Sequence, residues 1–301
     1  MNMYPFGFRN PAVPPFEEIQ RHVFSAMASP CEVRVDNPDP ALADKLGRIA
    51  EAEAKRIEAK FSRYRDDSVV GRINRSGGKP VVVDDETAAL LDYAASCHAL
   101  SEGRFDVTSG VLRRIWRFDG SDNVPTKNQV AELLPLIGWD KVTWKKPELI
   151  VPEGMEIDLG GLGKEYAVDS AMLAIMRETD VPVMVNFGGD LRVSGPRTGN
   201  RRWRVAIESV DGGASSARLE IASGALTTSG DARRYLLKDG VRYSHILDPR
   251  KGWPVNNPPR SVTVAAPTCM EAGILSTFAM LQGRKAEVFL RREGVQSWVV
   301  R

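Results

Sequence analysis

The sequence predicts an α+β fold, with antiparallel strands joined mostly by hairpins and helices carried in the longer insertions. Three observations lead there. Lys238-Asp239-Gly240 lies between the apolar runs Tyr235-Leu236-Leu237 and Val241-Arg242-Tyr243, and Asp-Gly between apolar runs is a strong hairpin signal. Short runs that read as strands crowd the second half, at residues 183–185, 203–207, 219–221, 262–265 and 297–300. Helical patterns fall in separate insertions between them, which argues against a doubly wound parallel sheet.

Residues 1–20, with four prolines among the first sixteen, are expected as an irregular arm laid over the body. Residues 21–301 show no linker, low-complexity stretch or short-period repeat and are expected as one unit. After Arg21 to Phe24, Cys31-Glu32-Val33-Arg34-Val35 alternates as a strand. Asp39-Pro40 is a helix start, a cap followed by a first-turn proline. Leu42, Leu46, Ile49, Ala50, Ile57 and Phe61 then recur at helical spacing and predict a long helix over a sheet face. The polar cluster FSRYRDDS, running on to Asn74, follows at its end and taken alone reads as a solvated turn.

A second helix is expected over residues 85–103 with Leu90, Leu91, Ala94 and Leu100 inward and His98 in a structural role. A Thr126-capped helix should end at Gly138, ahead of short strands around Val142 and at residues 149–151. Residues 155–159 predict a strand opening into Gly160-Gly161-Leu162-Gly163, with a helix from Lys164 to about Glu178. Such a turn suits phosphate, because it presents backbone N–H groups at a helix N-terminus. The pattern is neither a P-loop nor a clean GxGxxG, and tight packing explains it equally well. Gly188-Gly189 is a second place where backbone could meet a ligand. Thr227-Thr228-Ser229-Gly230-Asp231 reads as a polar turn beside the hairpin, and His245 leaves the hairpin just before Pro249 stops the ladder. Helices at residues 268–282 and 284–293 complete the chain.

The 301 residues are 43% hydrophobic and 27% charged, ordinary for a soluble globular protein. A net charge of +2 with interleaved signs gives no support for a nucleic-acid or membrane-surface protein. No run is long enough to span a bilayer, and the N-terminus lacks the uninterrupted apolar core of a signal peptide, so a cytoplasmic protein is expected. Cys31, Cys97 and Cys269 are far apart and form no Cys-x-x-Cys pair, so they are expected as small buried hydrophobes.

Six segments taken together, FSRYRDDS to Asn74, FDVTSG, IDLGGLGKEYAVD, NFGGDLRVSG, TTSGDARRY and YSHILDPRKGWP, followed by the Thr277 helix, resemble one family. It is that of the FAD:protein FMN transferases, the ApbE family, and the resemblance runs from about Ser25 to the C-terminus. It implies T-fold-like halves with antiparallel sheets and covering helices in one compact unit, FAD as substrate, and magnesium at the pyrophosphate. By that resemblance Met27, Tyr64, Phe105, Asp106, Asp158, Lys164 and Ile246 line the FAD site. His245 is the acid/base residue near the scissile pyrophosphate, with Asp231 and Arg234 closing the site around it. The Gly161 carbonyl and Thr277 face the metal. The reaction implied is attack by a Thr or Ser hydroxyl of a partner flavoprotein on the FMN phosphorus, with AMP leaving. A histidine has the pKa to take the hydroxyl proton near neutrality. Cations or N–H groups, from a metal, Lys164 or the glycine turn, would stabilise the pyrophosphate.

The family usually places an Asp four residues before its Thr, where this chain has Gly273. Glu271, the nearest acid, is about 200° around the helix from that face. Metal affinity is therefore expected to fall. Glu165 stands where the family often has Gly, and Ala28-Ser29 replaces the usual Gly-Thr. FAD hydrolysis to FMN and AMP is a close alternative, and a flavin-binding maturation accessory, favoured by Gly273, is another.

Overall fold

The computed structural model describes residues 19–207, 217–231 and 234–301. The expected arm lies outside the described residues except at its end, where Gln20 already belongs to the first strand. That strand, β1 (Gln20–Ala26), pairs with β2 (Ser29–Val35) across a two-residue turn. Met27 and Ala28 make the turn at φ 51° and 53°. Both central positions of such a turn need the left-handed region, which costs an L side chain what a glycine avoids. α1 (Pro40–Phe61) follows, with the Asp39 side chain accepting from the Ala41 N–H. Its buried stripe, Leu46, Ala50, Ala54, Ile57 and Phe61, lies on the hairpin as the periodicity predicts.

α2 (Val69–Asn74) is capped by Ser68. β3 (Val81–Val82), α3 (Asp85–Leu100), a 3-10 run at Val107–Arg114 and α4 (Lys127–Leu133) follow. β4 (Thr143–Lys145) and β5 (Glu148–Ile150) form a small sheet with β3 in the order β3-β5-β4. Two expectations need correcting here. Leu100 is 79% exposed rather than inward. The buried stripe of α3 continues from Leu90, Ala94 and Cys97 to Ser101, and Leu100 falls about 100° off it. α4 stops at Leu133 instead of running to Gly138, because Pro135 has no N–H to continue the ladder and the chain tightens into a 3-10 turn at Leu134–Leu136.

Residues 155–159 are not a strand, contrary to expectation. Their backbone groups are satisfied by a side chain and a loop instead of a neighbouring strand. Asn74 accepts from the Ile157 N–H at 2.7 Å and donates to the Ile157 carbonyl at 2.9 Å, while the Asp158 N–H donates to the Val107 carbonyl at 2.8 Å. α5 (Gly160–Met176) begins four residues before Lys164, so the glycines form its first turn.

β6 (Val183–Phe187) and β7 (Asp190–Val193) make a hairpin around Gly188-Gly189, both at positive φ. β8 (Trp203–Ile207) pairs with β9 (Ala217–Ile221). β10 (Gly224–Gly230) absorbs Thr227 to Gly230, so most of the expected polar turn is a strand. β11 (Tyr235–Lys238) and β12 (Val241–Ser244) form the hairpin predicted from Asp239-Gly240, with both turn residues at positive φ. β13 (Leu247–Asp248), β14 (Trp253–Pro254), β15 (Ser261–Ala266), α6 (Cys269–Leu281), α7 (Ala286–Glu293) and β16 (Ser297–Val300) end the chain.

The main sheet has seven strands in the order β1-β2-β6-β7-β10-β15-β16, and every neighbouring pair is antiparallel. The α+β prediction is borne out. α1, α5 and α6 cover one face, where Val33, Val185 and Phe187 meet Leu46, Leu162 and Met172 in one core. The β8–β9 ribbon covers the other, with Trp203 and Ile221 against Met184, Leu191 and Leu226. All three cysteines are free and buried, as expected. Among the described residues no helix is long and apolar enough to cross a membrane.

Asn74→Ala strips two hydrogen bonds from the backbone that positions Asp158, and should cost about 2 kcal/mol. Urea unfolding should show a lower midpoint with an unchanged m-value; an unaltered midpoint would mean that water replaces both bonds.

Candidate active site

The first turn of α5 is built from backbone. Its cap residue, Leu159, offers no side-chain acceptor, but its carbonyl accepts from the N–H groups of Leu162 and Gly163, while Gly160 and Gly161 are exposed. Asp158 Oδ1 accepts from the Gly160 N–H at 2.9 Å. Its other oxygen is ion-paired with Arg63. Gly110 of the FDVTSG segment makes room for this, since a Cβ there would lie 2.7 Å from the Asp158 Cβ. The Phe105 ring lies against Gly161, where a Cβ would meet its edge at 3.4 Å, and is buried against Phe278 with centroids 6.2 Å apart.

Arg63 also holds Tyr64. Its guanidinium carbon sits 4.8 Å from the ring centroid and Nη2 donates to the hydroxyl at 2.7 Å. Tyr64 is otherwise 77% exposed. A steadied, exposed aromatic face beside a helix N-terminus suits a planar ring attached to phosphates. Met27, half-buried at the β1–β2 turn, packs against the main core.

Lys164 Nζ lies 2.8 Å from Asp190 Oδ2, and Asp190 Oδ1 accepts from the Thr228 N–H at 3.3 Å. Burial works against the Lys164 charge, but Asp190 prevails and holds it above the usual lysine range. Burial likewise pushes Asp190 up, only partly offset by Lys164. The neighbouring Glu165 is pushed up by burial and then by the charge of Asp190. Gly188 leaves room for this packing: a Cβ there would lie 2.8 Å from Ser29 and 3.7 Å from Lys164 Nζ.

On α6, Thr277 and Ser276 are tied to the interior strand β10. Ser229 Oγ lies 2.8 Å from Ser276 Oγ and 3.3 Å from Thr277 Oγ1. Asp231, just beyond β10, is buried and spends its carboxylate on Arg260 Nε at 3.0 Å and Arg242 Nε at 3.4 Å. It therefore braces the β11–β12 hairpin against β15 instead of contacting His245.

The Arg234 carbonyl lies 3.2 Å from both the His245 backbone N–H and Nδ1. A proton on Nδ1 satisfies that contact and leaves Nε2 as an acceptor. Burial, then the positive charge of Arg234, pull His245 down to about 4, with the Arg234 carbonyl and Asp231 opposing. The imidazole is thus neutral at neutral pH. Its ring meets Phe118 edge-on at 6.2 Å. Ile246 packs on the cluster formed by Val262, Val264, Ala272 and Ala279. α6 is consequently shared, with Ile246 against its Ala272 and Ala279 face and α5 against its Gly273.

Asp106 is turned inward. It accepts from the Thr108 N–H at 2.8 Å, the Thr108 hydroxyl at 2.6 Å and the Trp139 N–H at 3.0 Å, and His98 Nε2 lies 3.4 Å away. The structural role expected for His98 agrees with this network. Sequence reasoning missed Arg63, Asp190 and Ser229. Each stands inside a segment already singled out, but only the fold shows that Arg63 meets Asp158 and that Ser229 meets α6.

The sequence profile of the ApbE family matches residues 27–299. An FAD:protein FMN transferase of Vibrio cholerae serotype O1 is 34% identical over 256 residues, covering 82% of this chain and 76% of that protein. A protein of the same name from Haemophilus influenzae is 30% identical over 261 residues, covering 82% and 75%. Among solved structures, the ApbE protein of Thermotoga maritima superposes with a TM-score of 0.84 at 31% identity over 94% of each chain. The flavin transferase ApbE from Vibrio cholerae superposes with a TM-score of 0.80 at 28% identity, again over 94% of each. Fold, motif order and a match from residue 27 to residue 299 agree, and the chain belongs to the ApbE family.

Proposed function

We infer that this protein is an FAD:protein FMN transferase, which binds FAD and passes its FMN half to a Thr or Ser hydroxyl of a partner flavoprotein, releasing AMP. Beyond family membership, the observation that carries this reading is His245, a neutral imidazole with Nδ1 fixed by a carbonyl and Nε2 left to accept a proton. The acceptor hydroxyl would give its proton to Nε2 as its oxygen bonds to the FMN phosphorus. The phosphorus–oxygen bond to AMP then breaks, and AMP departs with the electron pair.

The other residues divide the work of holding FAD. Tyr64, steadied by Arg63, and Met27 offer apolar and polarizable surface to its rings. The exposed glycine turn that opens α5 and Lys164 would face the pyrophosphate charge. Phe105, Asp106 and Ile246 shape the floor, Asp106 through its internal bonds. Asp158 is held by Arg63 beside the helix end, and Arg234 positions the imidazole.

Magnesium, which the family implies, is compatible with the residues present. Among the described residues no three His, Cys, Asp or Glu side chains converge on a metal site. Magnesium needs only one or two carboxylates beside phosphate oxygens and water. The Gly161 carbonyl, the Thr277 hydroxyl and a carboxylate from Glu165, whose Oε2 is buried without a hydrogen-bond partner, would hold it. Bound there, the ion would neutralise pyrophosphate charge.

The direct test incubates the protein with FAD, magnesium and a Thr-containing acceptor peptide, following AMP by chromatography and flavin on the peptide by fluorescence. AMP and flavinylated peptide should appear together and only with acceptor. AMP without acceptor would establish a hydrolase, and tight FAD binding without AMP the accessory that Gly273 favours.

His245→Asn should lower transfer at least 100-fold with the FAD dissociation constant nearly unchanged. A loss of FAD binding instead would make the residue a binding group. Since the folded His245 titrates near 4 rather than 6.5, kcat/KM should hold through pH 5 and fall near pH 4. The same depression makes stability drop as pH falls from about 6.5 toward 4, where the unfolded chain binds the extra proton. A His245→Asn melting series lacking that slope would agree. Tyr64→Ala should weaken FAD binding about tenfold, measured by flavin fluorescence titration, while leaving kcat nearly intact; an unchanged affinity would remove Tyr64 from the site.

A further inference from the structure

Two departures from the family pattern that lie far apart in sequence meet in space. A Cβ on Gly273 would lie 2.5 Å from Glu165 Cγ, 3.1 Å from its Cδ and 3.0 Å from Oε1. Those separations are well inside contact distance, so a side chain at position 273 requires Glu165 to move aside. Glu165 therefore fills the volume that a carboxylate rooted on α6 would occupy.

Its placement on α5 gives the carboxylate the same reach. Glu165 stands four residues after Gly161, and Gly273 four residues before Thr277, so each pair shares one helix face. Helical side chains lean toward the N-terminus, which tips Glu165 back over the Gly161 turn. Glu165 Oε2 is buried with no hydrogen-bond partner. The neighbouring cation, Lys164, pairs with Asp190 at 2.8 Å. Buried carboxylate oxygens are normally paired, and one left without a partner among the described residues, at the contact of α5 with α6, suits a hard cation.

We propose that Glu165 supplies, from α5, the cation-binding carboxylate that the family places on α6, and that Gly273 is the vacancy that admits it. The proposal rests on the FMN-transfer reading for the pyrophosphate that would share the cation. It also reverses the sequence-based expectation that the absence of an Asp at position 273 weakens metal binding.

The test titrates manganese(II) into the FAD-loaded protein by calorimetry and records melting temperatures for wild type, Glu165→Gln, Gly273→Asp and the double exchange Glu165→Gly with Gly273→Asp. Wild type should take up one manganese ion. Glu165→Gln should bind it at least tenfold more weakly, and the double exchange should recover affinity to within about threefold. Gly273→Asp alone should melt lower than wild type because the two side chains collide, and the double exchange should relieve that loss. Equal manganese affinity in wild type and Glu165→Gln would overturn the proposal, as would a double exchange that folds but binds no better than Glu165→Gln. Should Glu165→Gln lose manganese while wild type never releases AMP with an acceptor, the proposal stands and the transferase reading fails. Should wild type transfer FMN with affinity indifferent to Glu165, the reverse holds.

Discussion

One buried carboxylate holds the architecture of the site together. Asp190 opens β7, pairs with Lys164 on α5 at 2.8 Å, and accepts from the Thr228 N–H on β10. A single acid thus links the helix that carries the glycine turn, the hairpin beneath it and the interior strand that leads to Asp231. Removing one partner of a buried pair typically costs 3–5 kcal/mol, far more than a surface pair. Gly188 of the β6–β7 turn follows from this constraint, because it lets the hairpin close on Ser29 and Lys164.

Much of the fold could be read from residues alone. The Asp239-Gly240 hairpin and the Asp39-capped helix have strong local signatures, and both formed where expected. The failures were equally physical. Thr227 to Gly230 carry turn-type residues, yet they lie in the middle of the sheet. Their hydroxyls are used there, with Thr228 Oγ1 2.8 Å from Thr263 Oγ1 and Ser229 bonded to α6. Residues 155–159 have strand-like composition but no strand to pair with, because a distant amide, Asn74, takes that place. Neither outcome has a local signal.

Candidate site residues could be named from the sequence, but the relations among them could not. Motif order marked Asp231, Asp106 and Asp158, but composition cannot tell a carboxylate that faces a ligand from one consumed internally. The fold distinguishes them: Asp231 is spent on two arginines, Asp106 on Thr108 and Trp139, and Asp158 on Arg63. Gly273 looked like a loss and Glu165 like a mild change because their contact crosses two helices. Charge follows the same logic, since the low pKa of His245 comes from burial and from Arg234, eleven residues away.

The hairpin that carries the imidazole shares no ladder with the seven-stranded sheet. It is fastened by the Asp231 arginines, by backbone bonds from Gly120 and Leu237 to Tyr235 and Ser121, and by Leu236 and Tyr243 packed around Trp116. The hairpin is therefore mounted apart from the ladder of the main sheet, while Ile246, which follows it, returns to the α6 face. Lengthening or reshaping the exposed β11–β12 tip need not shift a single rung of that sheet. In such an architecture, recognition of new client proteins can diversify while the chemistry underneath is left alone.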